Sequence, residues 1–207
     1  MIDGESHRLA VLASGRGSNL EAIMAAEEAG WLGLEIALVL SDQPEARALD
    51  LARGRNVPVA VVEYCREAGR EAFGDALLGA CRDHRVTSVA LAGFMRILPE
   101  NFLDEYPDRV FNIHPSLLPA FPGLRAQAQA LEYGVKVSGC TVHLVDAGVD
   151  TGPVVMQASV PVYPGDDEAA LAARILRSEH RLYPRALALF ARGRLRRDGR
   201  RVRVLDA

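Results

Sequence analysis

The sequence predicts an α/β fold in which a mostly parallel central sheet carries helices on both faces and gains antiparallel or mixed strands late in the chain. Short apolar runs alternate with stretches of helical spacing through the first half of the chain. Those runs are continuously apolar rather than alternately polar, as parallel strands covered on both faces are. A glycine-rich turn joins the first run to the first helix, where exposed amides and the helix dipole favour an anion.

Leu9 to Ala13 reads as a buried strand, followed by the glycine turn and a helix from Asn19 to Gly30, in which Leu20, Ile23 and Met24 share one face. Ile36 to Leu40 is the next strand; after the turn Ser41-Asp42-Gln43-Pro44, Glu45 to Arg53 reads as helix up to Gly54. Val57 to Val62, Arg70 to His84 and Thr87 to Ala92 repeat the pattern as strand, helix and strand. A short helix after Pro99 leads to a strand from Arg109 to Ile113, and the regular alternation stops at the proline-rich passage Pro115 to Gly123. Gly139 to Val145 and Val154 to Val162 are separated only by a loop, which suits antiparallel or mixed pairing. Asp167 to Phe190 is a long helix. The arginine-rich stretch from Arg192 to Arg203 surrounds an Asp198-Gly199 turn; it reads as a small hairpin with a charged edge rather than a nucleic-acid surface.

At 207 residues the chain suits a single domain, 1–207, large enough to bury an ample core. Its 24 basic and 27 acidic residues leave no excess of the kind that predicts nucleic acid or an acidic membrane, so small molecules are the expected partners. Cys65, Cys81 and Cys140 form no Cys-x-x-Cys pair, which argues against a disulfide framework and a zinc site; no metal is expected, and a reducing cytoplasmic setting fits. Met1 to Arg8 is polar and Leu9 to Ala13 is too short for a signal-peptide core or a membrane span, so neither export nor membrane insertion is expected. Monomer and homodimer are both compatible with the sequence.

Asn112 and His114 stand two apart at the end of an apolar strand, so their side chains share a face. Asp150 lies in the later turn-rich stretch Gly148 to Pro153. An amide donor, a histidine that titrates near neutrality and a carboxylate are suited to stabilising an oxyanion and moving a proton. None is a strong nucleophile, so the attacking atom is expected from a substrate. Singly, His114 reads as a structural histidine, Asn112 as a partner of loop backbone and Asp150 as a turn initiator; those readings do not explain the joint motif. His143 is left as core or rim.

The glycine turn, Ser14-Gly15-Arg16-Gly17-Ser18-Asn19-Leu20, begins like a dinucleotide fingerprint, but Leu20 occupies the third glycine position and the Gly-Lys-Ser/Thr of a nucleotide loop is missing. Ser18 and Asn19 suit a terminal phosphate monoester better than a pyrophosphate. The bland alternative is a tight turn with Ser18 capping the helix.

With this turn, Gly93-Phe94-Met95-Arg96-Ile97-Leu98, Asn112-Ile113-His114-Pro115-Ser116-Leu117-Leu118-Pro119, Pro122-Gly123-Leu124 and Asp150-Thr151-Gly152-Pro153, the sequence resembles the phosphoribosylglycinamide formyltransferases of purine synthesis, over roughly residues 8 to 195. The Asn-Ile-His-Pro-Ser-Leu-Leu-Pro motif is common to folate-dependent formyltransferases and hydrolases, and the glycine turn narrows the likeness. Related tRNA formyltransferases and folate hydrolases carry further domains for which 207 residues leave no room. The resemblance implies a Rossmann-like formyltransferase fold, with 8–113 as the phosphate-binding half and 114–207 as the folate-site and C-terminal half. It implies that Gly17, Ser18, Asn19 and Leu20 hold the substrate phosphate and that Glu179 contacts the ribose hydroxyls. Met95, Arg96, Ile97 and Leu98 would line the pteridine pocket of 10-formyltetrahydrofolate, the co-substrate, with Asn112 and with Asp146, Ala147, Gly148, Val149 and Asp150. Arg70 would lie near the folate glutamate tail. The implied reaction is attack of the glycinamide amine on the formyl carbon, with Asn112, His114 and Asp150 catalytic. Relatives commonly carry histidine and arginine where this chain has Arg125, Gln127 and Ala128, and some carry a polar residue in place of Leu176. The competing readings are a formyltetrahydrofolate hydrolase, a formyltransferase acting on another amine, and a nucleotide-binding module without chemistry.

Overall fold

The computed structural model describes residues 7–206; the polar start at 1–6, expected from its composition to be free of an export signal, lies outside the described residues. Its elements run in the order β1 (Arg8–Leu12), α1 (Ser18–Glu28), β2 (Glu35–Ser41), α2 (Arg47–Arg53), β3 (Val59–Val61), α3 (Gly69–Asp83), β4 (Ser88–Leu91), α4 (Glu100–Glu105), β5 (Val110–His114), α5 (Ala126–Tyr133), β6 (Val137–Leu144), β7 (Val154–Pro161), α6 (Glu168–Ala191), β8 (Leu195–Asp198) and β9 (Arg201–Val204). The strands from β1 to β7 form one seven-stranded sheet in the order β3-β2-β1-β4-β5-β6-β7. Pairing is parallel from β3 to β5 and antiparallel at β5–β6 and β6–β7. β8 and β9 form the expected separate hairpin.

The continuous apolar runs are explained by burial on both faces. Leu9, Val11 and Ala13 join a core with α1, α2 and α6, while Ala10 and Leu12 join a second core with α3 and α4. Fully burying one such side chain is worth about 1.5–3 kcal/mol. Successive strands build to one side from β1 through β2 to β3, then cross to β4 on the other. That reversal opens a crevice at the carboxyl ends of β1 and β4, where ligands bind in open α/β sheets.

α6 covers this sheet and reaches the crevice. Asp167 caps it by accepting from Ala170 N–H at 2.7 Å. Pro184 inside the helix removes one i to i−4 bond. The neighbouring Tyr183 is fully buried, with its hydroxyl 3.0 Å from the carbonyls of Leu91 and Phe111, so it fastens α6 to β4 and β5.

One helix was not foreseen: α5 comes directly after the proline-rich passage. Its buried residues, Ala126, Ala128 and Ala130, are too small to draw an apolar stripe at helical spacing. The signal that was there is a run of good helix formers ending in Gly134, which takes the left-handed C-cap conformation. α1 also begins at Ser18 rather than Asn19, and its cap is Gly17, without a side-chain bond. Ser18 is therefore the first helical residue and not the cap. Gly17 is required there: φ is 78°, and a Cβ would stand 3.0 Å from Ala48 Cα in α2.

Candidate active site

β5 delivers Asn112 and His114 to the crevice, and antiparallel pairing sets Asn112 directly opposite His143 of β6. The loop after β6 brings in Asp150, held at φ 54°. The three residues singled out from sequence meet: His114 Nδ1 is 3.2 Å from Asp150 Oδ2, and Asn112 Nδ2 is 3.4 Å from Asp150 Oδ1. Sequence reasoning missed His143, whose Nε2 lies 3.1 Å from Asn112 Nδ2 and 3.6 Å from Asp150 Oδ1. Only the strand register would have shown it. His143 Nδ1 is 2.9 Å from Leu144 O. Leu144 O can only accept, so Nδ1 donates to it, and Nε2 is left to accept from the Asn112 amide.

His114 is buried, and both of its ring nitrogens face acceptors, since Nε2 lies 2.8 Å from the Phe121 carbonyl. Burial holds its pKa below the ordinary histidine value, against the Phe121 carbonyl and the Asp150 charge, which favour the imidazolium. The result is a ring held in a socket shaped for its charged form and ready to release the proton. Burial pushes Asp150 up, but the Gly123 amide beside it and the charge of His114 leave it below the usual carboxylate value. The Gly123 N–H donates to Asp150 Oδ2 at 2.8 Å. The proline-rich passage thus grips both members of the pair.

These groups line a cleft of about 910 Å³, within the size range of small-ligand sites. Of the glycine turn, Arg16 and Asn19 line one end of the cleft, whereas Gly17, Ser18 and Leu20 do not. The amides of Ser18, Asn19 and Leu20 precede the first intrahelical bond, which Glu21 N–H makes to Gly17 O at 2.9 Å, so they are donors without an intrahelical partner, the kind that helix starts offer to anions. Leu20 is fully buried in the core, so any contribution from it is limited to its amide. Asn19 reaches the cleft and donates to Glu179 Oε2 at 2.8 Å; burial raises the Glu179 pKa above its ordinary value, against that hydrogen bond. At the other end Met95, Arg96, Ile97 and Leu98 form a wall, with Met95 and Ile97 largely exposed to the opening. Asp146, Gly148, Val149 and Asp150 line it too, whereas Ala147 does not. Asp146 Oδ1 ties this loop internally, accepting from Thr151 Oγ1 at 2.6 Å and Gly148 N–H at 3.1 Å. Arg70 is exposed at the start of α3 and is not among the residues lining the cleft. Arg125, Gln127 and Leu176 all reach the cleft, and Ala128 is buried away from it.

Among the described residues no helix is long and apolar enough to cross a membrane, and no group of three or more His, Cys, Asp or Glu is placed to hold a metal ion.

A profile of the formyl transferase family matches residues 7–187. The chain is 48% identical over 199 residues to a trifunctional purine biosynthetic protein adenosine-3 of Drosophila pseudoobscura pseudoobscura, covering 95% of this chain but only 15% of that protein. It is 44% identical to a phosphoribosylglycinamide formyltransferase of Mycobacterium tuberculosis, with 95% of this chain and 94% of that one aligned. A crystal structure of glycinamide ribonucleotide transformylase 1 from Symbiobacterium toebii superposes with a TM-score of 0.94 at 50% identity, covering 99% of this chain and 96% of that one. The chain belongs to the formyl transferase family.

Proposed function

We propose that this protein transfers the formyl group of 10-formyltetrahydrofolate to the amine of 5'-phosphoribosylglycinamide, giving the N-formyl product. The observation that carries the reading is a single cleft with two unlike ends and a proton-handling group between them. At the first end, helix-start amides with Asn19 and Glu179 suit a phosphorylated sugar. At the second, the Met95 to Leu98 wall, with Asp146 and Gly148 to Asp150, suits a ring system with apolar faces and a hydrogen-bonding edge. Both substrates would then meet beside His114.

In this reading the acceptor amine attacks the formyl carbon and negative charge gathers on its oxygen. Asn112 carries two amide hydrogens, of which one is engaged by His143 at 3.1 Å and the other only loosely by Asp150 at 3.4 Å. The loose one turns to the oxyanion. His114 takes the proton that the attacking amine sheds and hands it to the folate nitrogen as the carbon–nitrogen bond breaks, and Asp150 steadies the ring while it is charged. The family's folate-type co-substrate fits this division of labour. Gly17, Ser18, Asn19, Leu20 and Glu179 are assigned to the acceptor; Asn112, Met95 to Leu98 and the 146–150 loop are assigned to the donor.

Folate absorbance, followed with and without phosphoribosylglycinamide, tests this directly. Turnover is expected only with the acceptor. Equal turnover without it would replace the proposal with a hydrolase; turnover only with a different amine would move the acceptor assignment.

A further inference from the structure

Three parallel strands end side by side, and one buried carboxylate ties together the segments that leave them. Ser14 lies just past β1, Asp42 just past β2, and the Gly93–Arg96 segment just past β4. Asp42 is 3% exposed and does not line the cleft. Its Oδ1 accepts from the Ser14 hydroxyl at 2.6 Å; its Oδ2 accepts from Arg96 Nε at 2.7 Å and from Gln43 Nε2 at 3.0 Å. The Ser14 oxygen, whose proton points at Asp42, accepts the Met95 N–H at 2.9 Å. Ser14 N–H bonds Gly93 O at 3.1 Å. Arg96 is further held over the Tyr64 ring, 5.1 Å from its centroid, at the cleft wall.

A buried carboxylate is costly unless fully partnered. A neutral amide in its place would still satisfy Ser14, but it could not also accept from Arg96. The charge therefore matters at one of its two ends. We propose that Asp42 is a positioning residue shared by both halves of the cleft, holding the phosphate turn through Ser14 and the donor wall through Arg96. Asp42 touches neither substrate; it sets the spacing between the surfaces that do. This deepens the formyl-transfer reading and rests on it.

Steady-state kinetics of the full chain, varying each substrate in turn, reads the two ends separately. Asp42→Asn keeps an oxygen for Ser14 and turns an NH₂ group toward Arg96. The donor KM is expected to rise about 10-fold, with the acceptor KM and kcat changing much less. Asp42→Ala loses both ties, so both KM values are expected to rise by about 10-fold. A general loss of structure would not produce that split. Thermal melts report whether each variant folds, and Asp42→Asn decides the question alone if Asp42→Ala does not. A donor KM unchanged in Asp42→Asn, or two KM values rising equally in it, overturns the proposal. Absence of acceptor-dependent turnover in the unmutated chain is a different result: it overturns the formyl-transfer reading and this inference with it.

Discussion

His114 sits between two acceptors in a buried place, so the forces on its proton oppose each other. That balance suits a group that gives a proton once per turnover. Replacing His114 or Asn112 with alanine is expected to lower kcat by about 100- to 1000-fold, the usual loss for one such group. Affinity for the phosphorylated acceptor, measured by calorimetry, should change little, because its proposed binding end is the glycine turn; near-normal turnover in both variants would remove them from the chemistry. Glu179 gives a prediction of the opposite kind. Burial raises its pKa, so its charge destabilises the unliganded protein. Glu179→Gln keeps an oxygen for Asn19, and should raise Tm while raising the acceptor KM; each kcal/mol gained corresponds to about 2–4 °C at this chain length. A lower Tm would show that the carboxylate is stabilised in ways the Asn19 bond does not account for.

At the scale of elements, the glycine turn depends on close contact between two helices. Gly17 combines a left-handed backbone with a 3.0 Å approach to α2, whereas a Cβ on Gly15 would meet nothing within 4 Å. Gly17→Ala is therefore expected to cost about 1–3 kcal/mol of stability, and Gly15→Ala, measured in the same urea titration, well under that. Equal effects would mean that the strain is not at Gly17. How far the elements could be read from sequence depends on the same physics. Strands buried on both faces and helices with large apolar residues announce themselves. α5 did not, because alanines bury little area; His143 did not, because its importance comes from standing across from Asn112 in a neighbouring strand. Asp42 looked like part of an ordinary turn, and its partners Ser14 and Arg96 are brought to it only by the order of the strands. The Asn112–His114 pair was legible since strand geometry alone puts both on one side.

For the molecule as a whole, buried titrating groups set the acid limit of stability. Burial depresses the pKa of His114 and of His180. Below the ordinary histidine value of about 6.5 the unfolded chain takes up protons that the folded chain resists, so stability falls as pH drops through that value. Asp150 and Asp42 are also depressed; their contribution is complete above about 3.8 and disappears as pH falls through their folded values. Glu179 works the other way, because a raised folded pKa draws a proton to the native state as pH falls toward 4.5. The urea midpoint is thus expected to decline as pH falls from 7.5 to 5.5, and on toward pH 4.5 to decline more steeply in Glu179→Gln. A flat profile in both proteins would contradict this assignment of burial.

The bond from Asn19 to Glu179 joins residues 160 positions apart. A ribosome making this chain produces the glycine turn first, and the helix segment that carries Glu179 160 residues later. Until α6 has emerged and docked, the nascent protein has the turn proposed for the phosphate but not the Glu179 side chain proposed for the sugar. Under that proposal, capacity for the acceptor should appear abruptly with α6 during synthesis, rather than growing with chain length.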